Sequence, residues 1–140
     1  MATKSNRIHI HHNVKDMKTL IYSCDLVVSA AGSTMYELSD CGVPLITYSM
    51  ADNQIPGTEA FEKLGLAMSC GDLREKTGYT PAVVNTDNGS VKLVDNVVVL
   101  VLDKVERLAN DFLLRKKMVA KMQQLIDGKG ADRLVKELLY

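Results

Sequence analysis

Short apolar runs alternate with helix-like segments through the first half of the sequence, and this alternation constrains the fold more than any other feature. Four of the runs are predicted to be strands: residues 7–11, 25–29, 45–48 and 66–69. The segments between them carry apolar residues at helical spacing and are predicted to be helices: residues 14–22, 34–41 and 52–64. Strands that alternate with helices in this way favour a parallel sheet with helices on both faces. The expected fold class is therefore α/β, with a Rossmann-like parallel sheet.

The second half of the sequence has a different pattern. Residues 71–90 contain glycine, proline and asparagine without a sustained period, and they are predicted to form a loop with a short strand at 82–85. Apolar residues then recur every three or four positions over 91–108, which predicts a helix. Two further helices are expected over residues 112–126 and 131–139. No linker divides the chain, so all 140 residues are expected to form a single domain.

The composition narrows the classes of function. Lysine plus arginine equals aspartate plus glutamate at 17 each, so no net charge favours binding to nucleic acid or to an acidic membrane. The longest apolar run, residues 97–102, is too short to cross a bilayer, and the polar N-terminus carries no secretory signal. Cys24, Cys41 and Cys70 are widely spaced and are interpreted as small buried apolar residues. These features indicate a cytoplasmic protein without a transmembrane segment.

A small turn joins the second predicted strand to the next helix. Its residues are Gly32, Ser33 and Thr34, with Glu37 one helical turn further on. Backbone amides at the beginning of a helix can bind an anionic group such as a diphosphate, and the Glu37 carboxylate can accept hydrogen bonds from a ribose diol. Alternatively, Thr34 and Glu37 form a capping box that only closes the end of the helix. Gly32 also has a purely structural explanation, because glycine permits a tight turn.

A second polar group follows the next predicted strand. Asp52, Asn53 and Gln54 begin the helix there. Ligands of an open parallel sheet collect at the carboxyl ends of its strands, so this group and Gly32 could line one pocket. Asp52 could simply be an N-cap. The two amide side chains offer paired donors and acceptors suited to sugar hydroxyls or phosphate oxygens.

Other kinds of site have little support. His9 and His11 would share one face of a strand, with His12 pointing away, but no cysteine or second histidine cluster completes a metal site. The sequence has no phosphate-binding loop of the Walker type, no full GxGxxG motif and no Ser-His-Asp arrangement. The residues therefore predict binding of a nucleotide sugar without an obvious base to transform it.

Several motifs together resemble a known family. Residues 25–38 have the pattern D-L-V-V-S-A-A-G-S-T-x-x-E-L, followed by G-V-P at 42–44 and A-D-N-Q at 51–54. This combination resembles the C-terminal half of GT-B-fold enzymes, in the group of the glycosyltransferase family 28 C-terminal domain. Three features are more similar to the UDP-sugar hydrolases of the pseudaminic acid pathway and their spore coat polysaccharide relatives: residues 12–17, the A-D-N-Q motif at 51–54 and residues 127–133. The resemblance covers nearly the whole chain.

One departure from the transferases favours the hydrolase-like members. The transferases often carry an arginine before the glycine turn, where this chain has Ala30 and Ala31. The resemblance thus implies a hydrolase that cleaves a UDP-sugar at the anomeric carbon and releases UDP, in surface or spore coat polysaccharide or nonulosonic acid biosynthesis. The alternatives are a family 28-type hexosyl transferase and a non-catalytic α/β module.

The resemblance also implies which residues contact the ligand: Asn13, Val14, Gly32, Ser33, Thr34, Glu37, Asn53 and Gln54. The glycine turn would contact the diphosphate, Glu37 the ribose, and backbone groups of Asn13 and Val14 the uracil. Asn53 and Gln54 would lie near the sugar, and Asn53 is the one catalytic candidate in this chain.

The same resemblance implies a partner. Enzymes of this kind pair two Rossmann-like halves, and in the hydrolases the histidine base belongs to the N-terminal half. That half is expected in cis or on a separate chain, and the isolated domain is expected to be inactive. A UDP-sugar is the expected substrate, with no metal and no other cofactor.

Overall fold

The computed structural model describes residues 8–74, 82–85, 91–94 and 96–138. The strands in this part of the chain are β1 (Val27–Ala30), β2 (Leu45–Ser49), β3 (Met68–Asp72), β4 (Ala82–Asn85) and β5 (Val91–Val94). The α-helices are α1 (Met17–Tyr22), α2 (Thr34–Asp40), α3 (Ile55–Leu64), α4 (Asn96–Asn110), α5 (Phe112–Leu125) and α6 (Gly130–Leu138). A 3₁₀ turn, Asp52–Gln54, leads directly into α3.

The predicted α/β class is confirmed, because three parallel strands form a sheet flanked by helices, as in a Rossmann-like half domain. The strand order is β1-β2-β3, with Val28 opposite Ile46 and Ile46 opposite Met68. The strands β4 and β5 form a separate antiparallel pair. The parallel arrangement places the ends of β1, β2 and β3 at one edge of the sheet, which is called the carboxyl edge below.

The central strand β2 organises the hydrophobic core. Its residues Leu45 and Ile46 are completely buried, as expected for a strand covered on both faces. The buried residues packed around them come from the neighbouring helices and strands: Met35 and Leu38 of α2, Phe61 of α3, Cys70 of β3, Leu108 of α4, and Met118 and Met122 of α5. The Leu45 amide also donates to the Met118 sulfur at 3.4 Å. Burial of each such large apolar side chain contributes about 1.5–3 kcal/mol to folding.

The structure corrects two of the predicted elements. Residues 8–11 form no strand, and Ile8 and Ile10 are 72% and 77% exposed, because no strand in the described part of the chain pairs with them. Residues 91–94 form strand β5 instead of the first turn of a helix, since their backbone pairs with β4. The other predicted helices and strands are found with shifted ends, and β4 coincides with the short strand predicted at 82–85. Residue 7, residue 139 and most of 75–90 lie outside the described residues.

Local hydrogen bonds explain the shifted ends. Helix α1 begins at Met17 because the Asp16 carboxylate caps it, accepting from the Thr19 amide at 3.0 Å. Helix α3 ends at Gly65, which has a φ of 71°, and the Leu66 amide donates back to Phe61 O at 2.8 Å. This closure includes Leu66 in the helix end and delays the next strand to Met68. Of the described helices, none is long and apolar enough to cross a membrane.

Candidate functional site

Three turns leave the carboxyl edge of the sheet, where ligands of open parallel sheets bind. The first follows β1 and contains Gly32, the second follows β2 and contains the 3₁₀ turn, and the third follows β3 and contains Arg74. Hydrogen bonds between strands fix the starting point of two of them. The Ala31 amide donates to Tyr48 O at 2.8 Å, and the Leu73 amide donates to Ser49 O at 3.0 Å.

The first turn is open to solvent. Gly32, Ser33 and Thr34 are exposed, and their amides donate no hydrogen bond to any described residue. A Cβ built on Gly32 would have no heavy atom within 4 Å, so the space beside this glycine is empty of protein atoms. A ligand could therefore approach the backbone of this turn closely.

The capping-box interpretation of this turn is wrong. Ser33, not Thr34, is the N-cap of α2, and its side chain makes no capping hydrogen bond. Ser33 already has helical angles (φ −56°, ψ −30°), so the turn is closed by backbone bonds from Met35 to Gly32 O and from Tyr36 to Ser33 O. Within the described part of the chain, the exposed carboxylate of Glu37 accepts no hydrogen bond and forms no ion pair. A capping role at the start of α2 therefore does not explain the presence of a glutamate at position 37.

Glu37 and Asp40 form a ridge between two clefts. The larger cleft, of about 510 Å³, separates α2 from the turn between α5 and α6, and its lining includes Tyr36 and Arg133. The smaller one, of about 150 Å³, lies on the side of α1, where Lys18 lines it. The larger cleft thus combines an exposed aromatic ring, carboxylates and a guanidinium, which is a polar and apolar mixture typical of small-molecule sites.

The walls of the larger cleft are held by specific contacts. The Tyr36 ring packs edge-on against Phe61, with the centroids 5.3 Å apart. On the opposite wall, Arg133 donates to Asp127 at 2.7 Å and holds the pKa of that carboxyl below its usual range. Gly128, with a φ of 68°, lies so close to α2 that a Cβ on it would be 2.8 Å from Asp40 Oδ1. The left-handed backbone favours glycine here, and the short distance to the end of the Asp40 side chain shows that the turn lies against α2.

The second turn has its own internal hydrogen bonds. The Gln54 side chain accepts from the Met50 amide at 2.8 Å, and the Gln54 amide donates to Ala51 O at 3.0 Å. Gln54 thus has a structural task, which leaves its side-chain NH₂ as the group able to meet a ligand. Asn53 is exposed, and its side chain has no partner among the described residues.

Asp52 is not the N-cap that the sequence allowed. The N-cap of the 3₁₀ turn is Ala51, and Asp52 instead accepts from Arg74 Nη2 at 2.6 Å. Arg74 also binds Asp72, with Nη2 2.6 Å from Oδ2 and Nε 3.0 Å from Oδ1. The hydrogen bonds that Arg74 donates to Asp72 lower the pKa of that carboxyl. The same bonds, and next the bond donated to Asp52, raise the pKa of Arg74. Sequence reasoning missed Arg74, because it lies five residues beyond the strand predicted at 66–69, in a segment predicted to be a loop, whereas β3 in fact extends to Asp72.

The remaining predicted residues precede α1. Asn13 is exposed and has a φ of 49°, a conformation that asparagine tolerates better than most residues, and Val14 is half-buried. Helix α1, which follows these two residues, lines the smaller cleft together with Glu37. No hydrogen bond or ion pair joins Glu37 to Asn53 or Gln54 among the described residues. The candidate residues near the carboxyl edge therefore form two separate hydrogen-bonding groups, one around Glu37 and one around Asp52.

Metal ligands are not assembled in the described ranges, where no group of three or more histidine, cysteine, aspartate or glutamate side chains is placed to hold an ion. His9, His11 and His12 are all exposed. No disulfide joins Cys24, Cys41 and Cys70. Cys70 is buried as predicted, but Cys24 and Cys41 are only half-buried.

Comparison with known proteins gives two partial relatives. The chain is 39% identical over 72 residues to the UDP-N-acetylglucosamine--N-acetylmuramyl-(pentapeptide) pyrophosphoryl-undecaprenol N-acetylglucosamine transferase of an Exiguobacterium species, covering 48% of this chain and 20% of that protein. It is also 39% identical over 54 residues to a Helicobacter pylori protein, the pseudaminic acid cytidylyltransferase and UDP-2,4-diacetamido-2,4,6-trideoxy-beta-L-altropyranose hydrolase, covering 39% of this chain and 10% of that protein.

These matches are short relative to the proteins matched. The similar segments span no more than 20% of the length of either relative. No protein-family model matches the chain, and no solved structure matches it significantly. Both relatives carry names from sugar-nucleotide chemistry, and this partial similarity is consistent with a glycosyltransferase-like domain.

Proposed function

We propose that this chain is the UDP-sugar-binding domain of a hydrolase that acts on activated sugars. The observation that carries the proposal is Glu37, an exposed carboxylate on the wall of the larger cleft with no partner in the described part of the chain. Partial relatives whose names include UDP-sugars support the choice of ligand. The Glu37 carboxylate lacks hydrogen-bond donors as partners. The ribose of a nucleoside can supply them, because its two adjacent hydroxyls can each donate a hydrogen bond.

Each protein group that is free to bind matches the chemistry of one part of a UDP-sugar. The two Glu37 oxygens accept from the ribose diol, and the solvent-exposed amides of Gly32, Ser33 and Thr34 face the diphosphate. Asn53 and the NH₂ group of Gln54 bind sugar hydroxyls. The uracil is assigned to backbone groups near Asn13 and Val14, before α1.

The proposed reaction is attack of water on the anomeric carbon. The bond between that carbon and the diphosphate oxygen breaks, UDP leaves, and the water loses a proton to a general base. Asn53 can orient the water or the sugar, but an amide cannot accept the proton at neutral pH. The base is therefore assigned to an N-terminal Rossmann-like half, in cis or on a separate chain, and the isolated domain is inactive. No metal or organic cofactor has a part in this scheme.

A glycosyltransferase is the second candidate. The match to the Exiguobacterium transferase extends over 72 residues, against 54 for the Helicobacter pylori protein. The UDP-sugar site would be the same, with a hydroxyl of an acceptor sugar in place of water. Both candidates predict the same ligand for this domain, so a binding experiment tests what they share.

The test is titration of the ¹⁵N-labelled chain with UDP and with UDP-N-acetylglucosamine, followed by NMR. We expect shifts at Gly32, Glu37 and Asn53, and roughly ten-fold weaker binding by Glu37→Gln, since the variant loses hydrogen bonds to a charged group. The matched control is Glu106→Gln, which changes an exposed glutamate on α4 and is expected to leave affinity unchanged. An absence of shifts at millimolar ligand, or equal effects of the two variants, would contradict the proposal.

A further inference from the structure

We propose, building on the function proposed above, that Arg74 is a positioning residue that places the Asp52–Gln54 turn against the sugar of the bound nucleotide. Arg74 does not touch the ligand in this scheme. It acts through Asp52, the first residue of the 3₁₀ turn that carries Asn53 and Gln54.

The guanidinium of Arg74 is anchored to the sheet. Its anchor is Asp72, the last residue of β3, whose side chain is only 10% exposed. Three hydrogen-bond donors of Arg74 point at this carboxylate: the backbone amide at 3.0 Å, Nε at 3.0 Å and Nη2 at 2.6 Å. A fork-shaped pairing of this kind fixes the plane of the guanidinium as well as its position.

From this anchor the guanidinium reaches the second turn. Nη2 lies 2.6 Å from Asp52 Oδ1, although the two residues are 22 positions apart in the chain. The Asp52 side chain is 90% exposed, and exposed ion pairs contribute little to the free energy of unfolding. The contact therefore matters for where the turn lies more than for the stability of the fold.

The other hydrogen bonds of the turn hold it to its neighbours along the chain. Gln54 accepts from the Met50 amide and from the Thr58 hydroxyl and donates its backbone amide to Ala51 O, but none of these bonds reaches β3. The side chain that connects the turn to the end of β3 is Asp52, through Arg74. Asn53 has no side-chain partner of its own in the described residues, so its position follows from that of Asp52.

Removing either partner breaks the contact between Arg74 and Asp52, so the proposal can be tested from both sides.

The experiment is a double-mutant cycle on the whole 140-residue chain with Arg74→Met, Asp52→Asn and the double variant. UDP-N-acetylglucosamine and UDP are titrated separately into each protein. We expect each single variant to bind UDP-N-acetylglucosamine about three- to five-fold more weakly, because a displaced turn loses its contacts with the sugar and an exposed ion pair can bias the position of the turn by no more than about five-fold. UDP alone should lose less than about two-fold, and the double variant should be no worse than the single ones. Arg74→Lys should recover part of the loss.

Direct contact between Arg74 and the ligand would give a different pattern and overturn the proposal. Arg74→Met would then weaken UDP and UDP-N-acetylglucosamine equally, and Asp52→Asn would leave both affinities unchanged or improve them. Additive losses in the double variant would overturn it as well. Thermal unfolding of every variant separates these effects from loss of the fold.

A measurement without ligand distinguishes this proposal from the function on which it is built. Arg74→Met should speed hydrogen exchange at the amides of residues 52–54 and leave the turn at Gly32 unchanged. If the unaltered chain binds neither ligand but this change is seen, the proposed function fails while the positioning contact stands. If exchange at 52–54 does not change, the positioning role is wrong whatever the ligand affinity.

Discussion

Glu37 and Asp72 are both carboxylates near the carboxyl edge of the sheet, but they differ in their partners. The Asp72 side chain is nearly buried and accepts hydrogen bonds from three donor atoms of Arg74. Glu37 is exposed and accepts none within the described residues. The first carboxylate is accounted for by the structure of the chain itself, whereas the second is not. This difference separates residues that build the site from residues that are free to bind a ligand.

The sharpest form of this comparison uses two adjacent residues of α2. Leu38 is 1% exposed and belongs to the core, while its neighbour Glu37 points away from it. We expect Leu38→Ala to reduce the free energy of unfolding by about 2–5 kcal/mol, because it leaves a cavity beneath the sheet. Glu37→Gln should change this free energy by less than about 0.5 kcal/mol. Urea denaturation of the two variants measures both values, and a large loss with Glu37→Gln would show that the glutamate has a structural role.

A smaller effect is expected from the far wall of the larger cleft. Gly128 has a φ of 68°, and a Cβ there would lie 2.8 Å from Asp40 Oδ1. Gly128→Ala should therefore cost about 1–2 kcal/mol for the left-handed backbone and should push the Asp40 side chain aside. Gly130→Ala is the matched control, since a Cβ there meets nothing within 4 Å. Equal melting temperatures for the two variants would contradict the left-handed backbone conformation of Gly128.

The order of strands and helices from β1 to α3 could be predicted because it depends on local sequence. The segments from β1 to α3 are defined by apolar runs, by Gly65 at a helix end and by helical spacing, each of which acts over a few residues. The strand predicted at 7–11 failed because alternation alone does not supply a neighbouring strand. The strand β5 was mistaken for helix because its partner β4 is a separate segment, and both were rich in valine.

The site was harder to predict than the fold for a related reason. Thr34 and Glu37 have the spacing of a capping box, but Ser33 already has helical backbone angles, so Thr34 lies inside the helix and cannot cap it, and spacing does not reveal those angles. Asp52 looked like an N-cap, but its partner Arg74 is 22 residues away. Contacts of this range depend on the register of β2 and β3, which exists only in the folded chain. The residues named for ligand binding remain predictions until a ligand is titrated.

The smallest expected effect is the pH dependence of stability that Asp72, the paired carboxylate of the comparison, contributes. Arg74 lowers the pKa of Asp72 from its ordinary value of 3.8 in the folded chain. The pair thus contributes stability that is present above pH 3.8 and is lost as the pH falls through the lower pKa of the folded state. We expect Asp72→Asn to be less stable than the unaltered chain at neutral pH, with the difference shrinking below about pH 4.

Denaturation of both proteins across this range measures the difference directly. The pKa values of Asp16 and Asp127 are also lowered in the folded chain, but both groups are present in the two proteins and their contributions cancel. Asp103→Asn, which changes an exposed aspartate on α4, controls for the loss of a negative charge and should differ little from the unaltered chain. A difference between Asp72→Asn and the unaltered chain that stays constant as the pH falls would mean that the Asp72 carboxylate is not paired with Arg74, and Arg74 would then have no anchor from which to position Asp52.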